Sequence, residues 1–310
     1  MENYTYNSYI LQLEGLNTSK DSLYPAFLFL FFSYLFIMII NVGITILIFM
    51  NKNLHQPMYL LFCNLPLNDI LVNSIVLPRL LIDLMRPPSE RLISYYQCVV
   101  QAYIASLIGT TSHTVLMIMA YDRYVAICNP FHYVSIMTNK MMIKLTVCAW
   151  GVAFVLVGIL LGLTTRLNRC RTLITNPYCD NASLFKLSCE SVVINNIYGI
   201  TFTVAVYVGS IGAIVLSYTS IAVVCLTSKN KSLNSKALKT CISIYILEHY
   251  HPAVSQCHLL AGFVRRSVTS VAAGDLTDTL ASTFAKTHLL EIVLSAKLSW
   301  RWKNNQRFHR

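Results

Sequence analysis

The chain has 310 residues, of which 55% are hydrophobic and only 12% charged, and its mean hydropathy is +0.56. About 25% charged is usual for a soluble domain, so that class is excluded; several runs exceed the ~18 apolar residues of a spanning candidate, and the fold class is all-α, a polytopic bundle of membrane helices. The net charge of +11, from 24 Lys+Arg against 13 Asp+Glu, would suggest nucleic acid in a soluble protein, but here it belongs beside cytoplasmic helix ends and anionic lipid.

Residues 1–24 read as a short polar arm without a basic leader, so no cleavable signal peptide is expected and the first spanning helix serves as the insertion signal. Asn3-Tyr4-Thr5 and Asn17-Thr18-Ser19 fit the glycosylation pattern N-x-[ST], which favours a lumenal, then extracellular, N-terminus. The first spanning helix runs from Pro25 to Met50. Asn41 is its one strongly polar interior residue and should face protein rather than lipid. Lys52 and His55 occupy a tight connection, as expected on the cytoplasmic side. A second helix extends from Met58 to about Leu84, with Asn68-Asp69 near its middle. A carboxylate at that depth needs a functional or pairing reason.

Arg86 to Gln97 is a loop punctuated by Pro87-Pro88, and Cys98 opens the third helix. Its apolar run, Ala102 to Ala120, places Ala105, Ser106, Gly109 and Thr110 on one small, weakly polar face. A tight helix–helix contact would explain that face as well as a ligand would. Asp122-Arg123 then sets an acid beside a base where the helix leaves the bilayer, a costly placement that is usually functional. Lys140 and Lys144 flank the start of a fourth helix, Met141 to Leu163, which contains Trp150. The long segment Arg166 to Asn196 carries Cys170, Cys179, Cys189 and the sequon Asn181-Ala182-Ser183. With Cys98 these are the disulfide candidates, and four cysteines allow three pairings. A fifth helix, Ile197 to about Leu226, includes Phe202, Thr203, Ser217 and Tyr218. The basic cluster Lys229, Lys231, Lys236 and Lys239 follows it, as in a cytoplasmic loop.

The string Met119-Ala120-Tyr121-Asp122-Arg123-Tyr124-Val125-Ala126-Ile127-Cys128-Asn129-Pro130, continued by Phe131-His132-Tyr133, resembles the signature at the inner end of the third helix of vertebrate odorant receptors, a branch of the rhodopsin-like G-protein-coupled receptors. Leu54-His55-Gln56-Pro57-Met58-Tyr59 agrees with it, and Lys236-Ala237-Leu238-Lys239-Thr240-Cys241 resembles the entry to helix six in its fish-type form. The resemblance implies a seven-helix receptor of the plasma membrane that binds a small odorant and signals through a heterotrimeric G protein. It implies coupling roles for Asp122, Arg123, Tyr124 and Tyr218, and a pocket lined by Ala105, Ser106, Gly109, Thr110, Phe202 and Thr203. It further implies disulfides Cys98–Cys179 and Cys170–Cys189, glycosylation at Asn3, Asn17 and Asn181, and a sodium ion near Asp69, Asn41 and Ser112. A receptor for familiar amines would carry an acid at about Ala105; its lack here points to neutral or zwitterionic ligands.

The resemblance covers residues 20–242 and ends near Ser243. The run Cys241 to Leu247 breaks into Glu248-His249-Tyr250-His251-Pro252, Leu280 to Leu298 is interrupted by Lys286, His288, Glu291 and Lys297, and no helix-seven Asn-Pro motif follows. Central charges of this kind cost about 2.5–3.5 kcal/mol each on insertion. Only five spanning helices are clear. Residues 243–310 read as translation in another frame or a mis-spliced end; the alternative is a divergent tail with an interfacial helix over Thr277 to Leu298. On the first reading the chain as written would not couple ligand to G protein, and a truncated product would be retained in the endoplasmic reticulum. A transporter would show internal repeats, which are not seen. No G-x-S-x-G, H-E-x-x-H or phosphate loop marks an enzyme, and His249, His251, Cys257 and His258 do not have the spacing of a zinc site.

Overall fold

The computed structural model describes residues 6–16, 20–51 and 57–227. The expectations for Asn3, Asn17, the Lys229–Lys239 cluster and the 243–310 tail lie outside the described residues. Among the described residues five helices are long and apolar enough to cross a membrane: Ser22–Met50, Met58–Met85, Tyr95–Cys128, Asn139–Thr165 and Val193–Ile221. Their outward side chains are apolar, as in Phe32, Phe49, Ile143, Val147, Phe154, Ile200 and Leu216. Lipid, rather than water, is the solvent that suits such a surface.

The first helix, α1 (Lys20–Met50), begins five residues before Pro25, which therefore lies inside it, past the first turn, and removes one ladder donor there. The single second helix expected from Met58 is interrupted at Cys63, giving α2 (Pro57–Phe62) and α3 (Asn64–Met85). Pro66 has no N–H to donate to Phe62, four residues back, and the ladder resumes with the Leu67 N–H on the Cys63 carbonyl at 3.4 Å. Cys63 keeps helical dihedrals (φ −60°, ψ −21°), so the span is continuous.

The third spanning helix, α4 (Tyr95–Cys128), is the axis of the bundle, roughly 50 Å long at the α-helical rise. It touches α3, α6 (Asn139–Thr165) and α8 (Val193–Thr227), as well as two short helices, α5 (Pro130–Ile136) and α7 (Asn181–Phe185). It starts three residues ahead of Cys98 because Ser94 and Gln97 form a capping box: the Gln97 N–H donates to Ser94 Oγ and the Ser94 N–H to Gln97 Oε1. Along the spans, hydroxyls such as Thr111, Thr114, Thr146 and Ser217 donate to carbonyls three or four residues back, so they carry no unmet donor into lipid.

The N-terminal arm is not the featureless polar segment its composition suggests. Ile10–Leu13 form β1, the centre of a three-stranded sheet, antiparallel to β2 (Leu92–Ser94) and parallel to β3 (Leu173–Ile174). Leu11 and Leu13, each 1% exposed, point into a cluster with Ile93, Cys98, Val157, Leu160, Ile174 and Cys179. The alternation Leu11-x-Leu13 is the period of a half-buried strand. Gly15 ends the strand at φ +72°, and a Cβ there would meet the Arg91 guanidinium at 2.6 Å. That buried guanidinium donates to the Glu14 and Arg86 carbonyls and ties the arm to the loop before β2. The sheet thus caps one end of the bundle.

Candidate functional site

Beneath this cap, α3, α4 and α8 enclose a cavity of about 240 Å³. All six residues expected to line a pocket border it: Ala105, Ser106, Gly109, Thr110, Phe202 and Thr203. Outside the helix's own nearby backbone, no described atom lies within 4 Å of where a Gly109 Cβ would sit, so among the described residues α4 borders open space at this position. Val72, Val76, Ile108 and Val206 supply the apolar wall.

Four further lining residues were not picked out from the sequence. His113 and Tyr207 close the deep end, their rings 4.5 Å apart, with Ser210 Oγ 3.3 Å from His113 Nδ1. Seven residues separate His113 from Ser106 in the chain, which is two turns on the same face of α4; that spacing could have pointed to it. Tyr178 and Asp180 come from the loop, and no local pattern predicts which loop residues fold inward.

That loop is pinned twice. Cys98 and Cys179 are disulfide-bonded with Cα atoms 5.2 Å apart, and the buried Cys179 N–H donates to Gln101 Oε1 at 2.9 Å. Cys170 is bonded to Cys189, Cα–Cα 5.6 Å, inside the loop. Tyr178 is thereby buried against Val72, Val76 and Ile108. Arg169 stacks on the Tyr95 ring at 3.4 Å, a cation–π contact joining the loop to the start of α4. Asn181, the sequon asparagine, opens α7; its Oδ1 accepts from Thr164 Oγ1 at 2.6 Å, and Thr164 in turn accepts from Asn195.

At the opposite end of α4, Asp122 is fully buried. Its Oδ2 lies 2.8 Å from an Arg123 guanidinium nitrogen, and its Oδ1 accepts from the Tyr133 hydroxyl at 3.0 Å. Tyr133 belongs to α5, and no role was assigned to it from the sequence. Burial and the neighbouring Asp122 charge, which also accepts its hydrogen bond, push the Tyr133 phenol up to about 12, against a smaller opposing pull from Arg123. Tyr124 and Tyr218 both pack against the buried Ile221, so α4 and α8 meet here. The buried Asp122 carboxylate is thus held by Arg123 of its own helix and by Tyr133 of α5.

Asp69, Asn41 and Ser112 are all buried within the bundle. Asn41 Nδ2 donates to the Ile37 carbonyl of its own helix at 2.9 Å. Asn68, beside Asp69 in the chain, reaches Ser112, donating to its Oγ at 2.9 Å, while the buried Asn68 Oδ1 accepts no hydrogen bond among the described residues. An oxygen-rich set with an unmet carbonyl suits a small hard cation. Trp150 Nε1 donates to Asn64 Oδ1 at 3.3 Å, so this tryptophan anchors α6 to α3 by a polar contact as well as by bulk.

A bundle of membrane helices, with a cavity at one end of its central helix and a buried acid–base pair at the other, defines a helical membrane receptor rather than an enzyme. The family model described as olfactory receptor matches residues 30–274. Among relatives, Olfactory receptor 5K17 of Mus musculus is 36% identical over 219 residues, 70% of this chain and 68% of that protein. Olfactory receptor 5AC2 of Homo sapiens is 34% identical over 202 residues, 65% of each chain. Olfactory receptor 6C3 of Homo sapiens is 32% identical over 236 residues, 76% of this chain and 75% of that protein. The matched region spans about two thirds of the length of the first of these relatives. The chain belongs to the olfactory receptor family of rhodopsin-like G-protein-coupled receptors, multi-pass proteins of the plasma membrane. The family match runs on to residue 274, 32 residues beyond position 242, where the recognisable motifs end.

Proposed function

We propose that this chain is an odorant receptor that binds a small odorant in the cavity between α3, α4 and α8 and engages a heterotrimeric G protein at the Arg123 end. The observation that carries this reading is the shared helix: Gly109 and Thr110 border the cavity, and Asp122-Arg123 lie on the same α4 some thirteen residues away. In this reading the sheet and the disulfide-bonded loop face the cell exterior, with Asn3, Asn17 and Asn181 as glycan acceptors. Arg123, Tyr124 and Tyr218 belong to the coupling end, and the buried Asp122 holds Arg123 there. Tyr133 is a positioning residue that holds Asp122. A sodium ion, held by Asp69, Asn41 and Ser112 with Asn68 beside them, would add a positive charge to the middle of the bundle and favour the inactive arrangement.

Ligand binding transmits a signal only if affinity differs between the two arrangements of the helices. An odorant that draws α8 toward α4 at the cavity would loosen the Asp122–Arg123–Tyr133 contacts and release the guanidinium. Release is costly while Asp122 stays buried, because an unpaired buried charge is destabilising by about 3–5 kcal/mol. That barrier keeps the receptor quiet without ligand.

A second reading rests on the charge-interrupted sequence from 243 to 310. There the chain is a non-signalling product of a frame or splicing error, retained in the endoplasmic reticulum. The fish-type entry at Lys236–Cys241 makes a fish receptor the intact form on that reading. Cell-surface labelling, glycan maturation and cyclic AMP in cells expressing the full chain separate the two. Surface exposure with an odorant-stimulated rise, lost in Arg123→Ala, supports the receptor; immature glycans with no surface label and no rise support the retained product.

A further inference from the structure

We propose that the cavity takes a small protonated amine, its ammonium group held at the loop by Asp180. The proposal rests on the reading of the cavity as the odorant site and names the chemistry of its ligand. The third spanning helix, α4, offers no acid at Ala105, but the loop supplies one: Asp180 follows the pinned Cys179 and borders the cavity. Its Oδ1 accepts from the Ser183 N–H at 3.2 Å and from Asn176 Nδ2 at 3.1 Å. Both donors are neutral. They orient the carboxylate without cancelling its charge.

Nothing else cancels it among the described residues. The ion pairs there join Arg79 to Asp83 and Arg123 to Asp122, and neither includes Asp180. The described lining contains no lysine or arginine. Among the described residues the site therefore carries one negative charge without an ion-pair partner, at the edge of a mostly apolar space. A carboxylate or phosphate ligand would meet like charge at Asp180, and the one basic side chain among the described lining residues is His113, at the deep end beside Tyr207. A neutral ligand without a donor would remove water from Asp180 and give nothing in return, and an alcohol would return one hydrogen bond but no charge. An ammonium supplies both the charge and three donors.

The remainder of the lining fits the rest of such a molecule. Tyr178 and Phe202 add to the lining two aromatic rings of the kind that attract a cation. Ile108 and Val206 suit a short hydrocarbon body. At about 240 Å³ the space is below the ~300–1,000 Å³ of drug-sized sites, so the ligand is small.

The test uses the purified full chain in lipid nanodiscs, with n-hexylamine, n-hexanol and hexanoate as probes of one length and three charges. Asp180→Asn keeps the acceptor oxygen and is an equally good helix cap, so it removes the charge and little else. The expected result is hexylamine bound most tightly, its affinity falling roughly 10- to 100-fold in Asp180→Asn while that for hexanol stays within about twofold. Gly109→Leu, which fills the cavity, should abolish binding of both. Hexylamine and hexanol binding equally, with no effect of Asp180→Asn, would overturn the amine assignment and leave the odorant cavity standing. Hexylamine binding that survives Gly109→Leu would place it elsewhere and overturn the proposal. No binding of any probe by the folded chain would overturn both the proposal and the cavity reading.

Discussion

Replacing Gly109 with alanine should stabilise the protein, although the residue lies in the candidate site. Glycine in a helix interior is less favourable than alanine by about 0.8–1.0 kcal/mol. At most positions in a packed bundle the added methyl would cost more than that, but here no described atom lies within 4 Å of the new Cβ. The methyl enters the cavity, where burying one carbon contributes up to about 0.8 kcal/mol more. The sum is about 1–2 kcal/mol. For domains of 150–250 residues each kcal/mol moves the unfolding midpoint by about 2–4 °C, so a rise of a few degrees is expected for this chain. Thermal unfolding of the purified protein in one detergent, wild type against Gly109→Ala, measures it directly. Gly109→Leu extends the same series: it should fold, and it should exclude ligand. A midpoint lowered by Gly109→Ala would refute the reasoning, because it would mean that another part of the chain already occupies the space beside α4. The glycine would then be a packing residue, as the small face of α4 also allowed on sequence grounds alone.

Other consequences are equally concrete. The raised Tyr133 phenol means that the neutral form is favoured in the fold: this contribution is complete below the ordinary tyrosine value of about 10 and is lost as pH rises through about 12. A difference titration of wild type against Tyr133→Phe, followed at tyrosinate absorbance, should remove a tyrosine that ionises near 12; removal of one titrating near 10 would contradict the Asp122 contact. Ser94→Ala removes one half of the capping box on α4 and should cost about 1 kcal/mol, read as a lowered unfolding midpoint. Gly15→Ala should be destabilising whatever the space around it, since φ is +72° and the Arg91 guanidinium blocks the Cβ; a thermal shift of zero would be inconsistent with that clamp. Cys98→Ser with Cys179→Ser should free Tyr178 and Asp180 from the cavity, seen as faster amide hydrogen exchange at Cys179→Ser itself and its neighbours, with weaker ligand binding.

The spanning helices were legible because lipid imposes a length and a composition that few other environments require. The five spans expected from apolar runs correspond to the five described, with ends displaced where local chemistry intervenes, as Ser94 and Gln97 do for α4. The capping box itself was readable but lay ahead of the more conspicuous Cys98. Helical periodicity put Ala105, Ser106, Gly109 and Thr110 on the face of α4 that borders the cavity, while His113, two turns on from Ser106, went unnoticed. Residues supplied by other segments did not: Asp180 reaches the cavity only because a disulfide and Gln101 hold its loop down, and Tyr133 reaches Asp122 only because α5 folds back beneath α4. Strand β1 was hidden for a different reason. Four residues with one alternation are too short to stand out in a polar arm, and their partners lie about 80 and 160 positions away in the chain.

The central claim is that the small face of α4 borders a ligand cavity reached from the side carrying the sheet. Ser106→Cys in intact cells expressing the full chain, treated with a membrane-impermeant thiol reagent, tests it most directly. The account predicts modification from outside the cell, slowed by an odorant amine and prevented by adding Gly109→Leu. A surface-exposed protein whose Cys variant is unreactive from outside, or reacts only after the membrane is permeabilised, would contradict it.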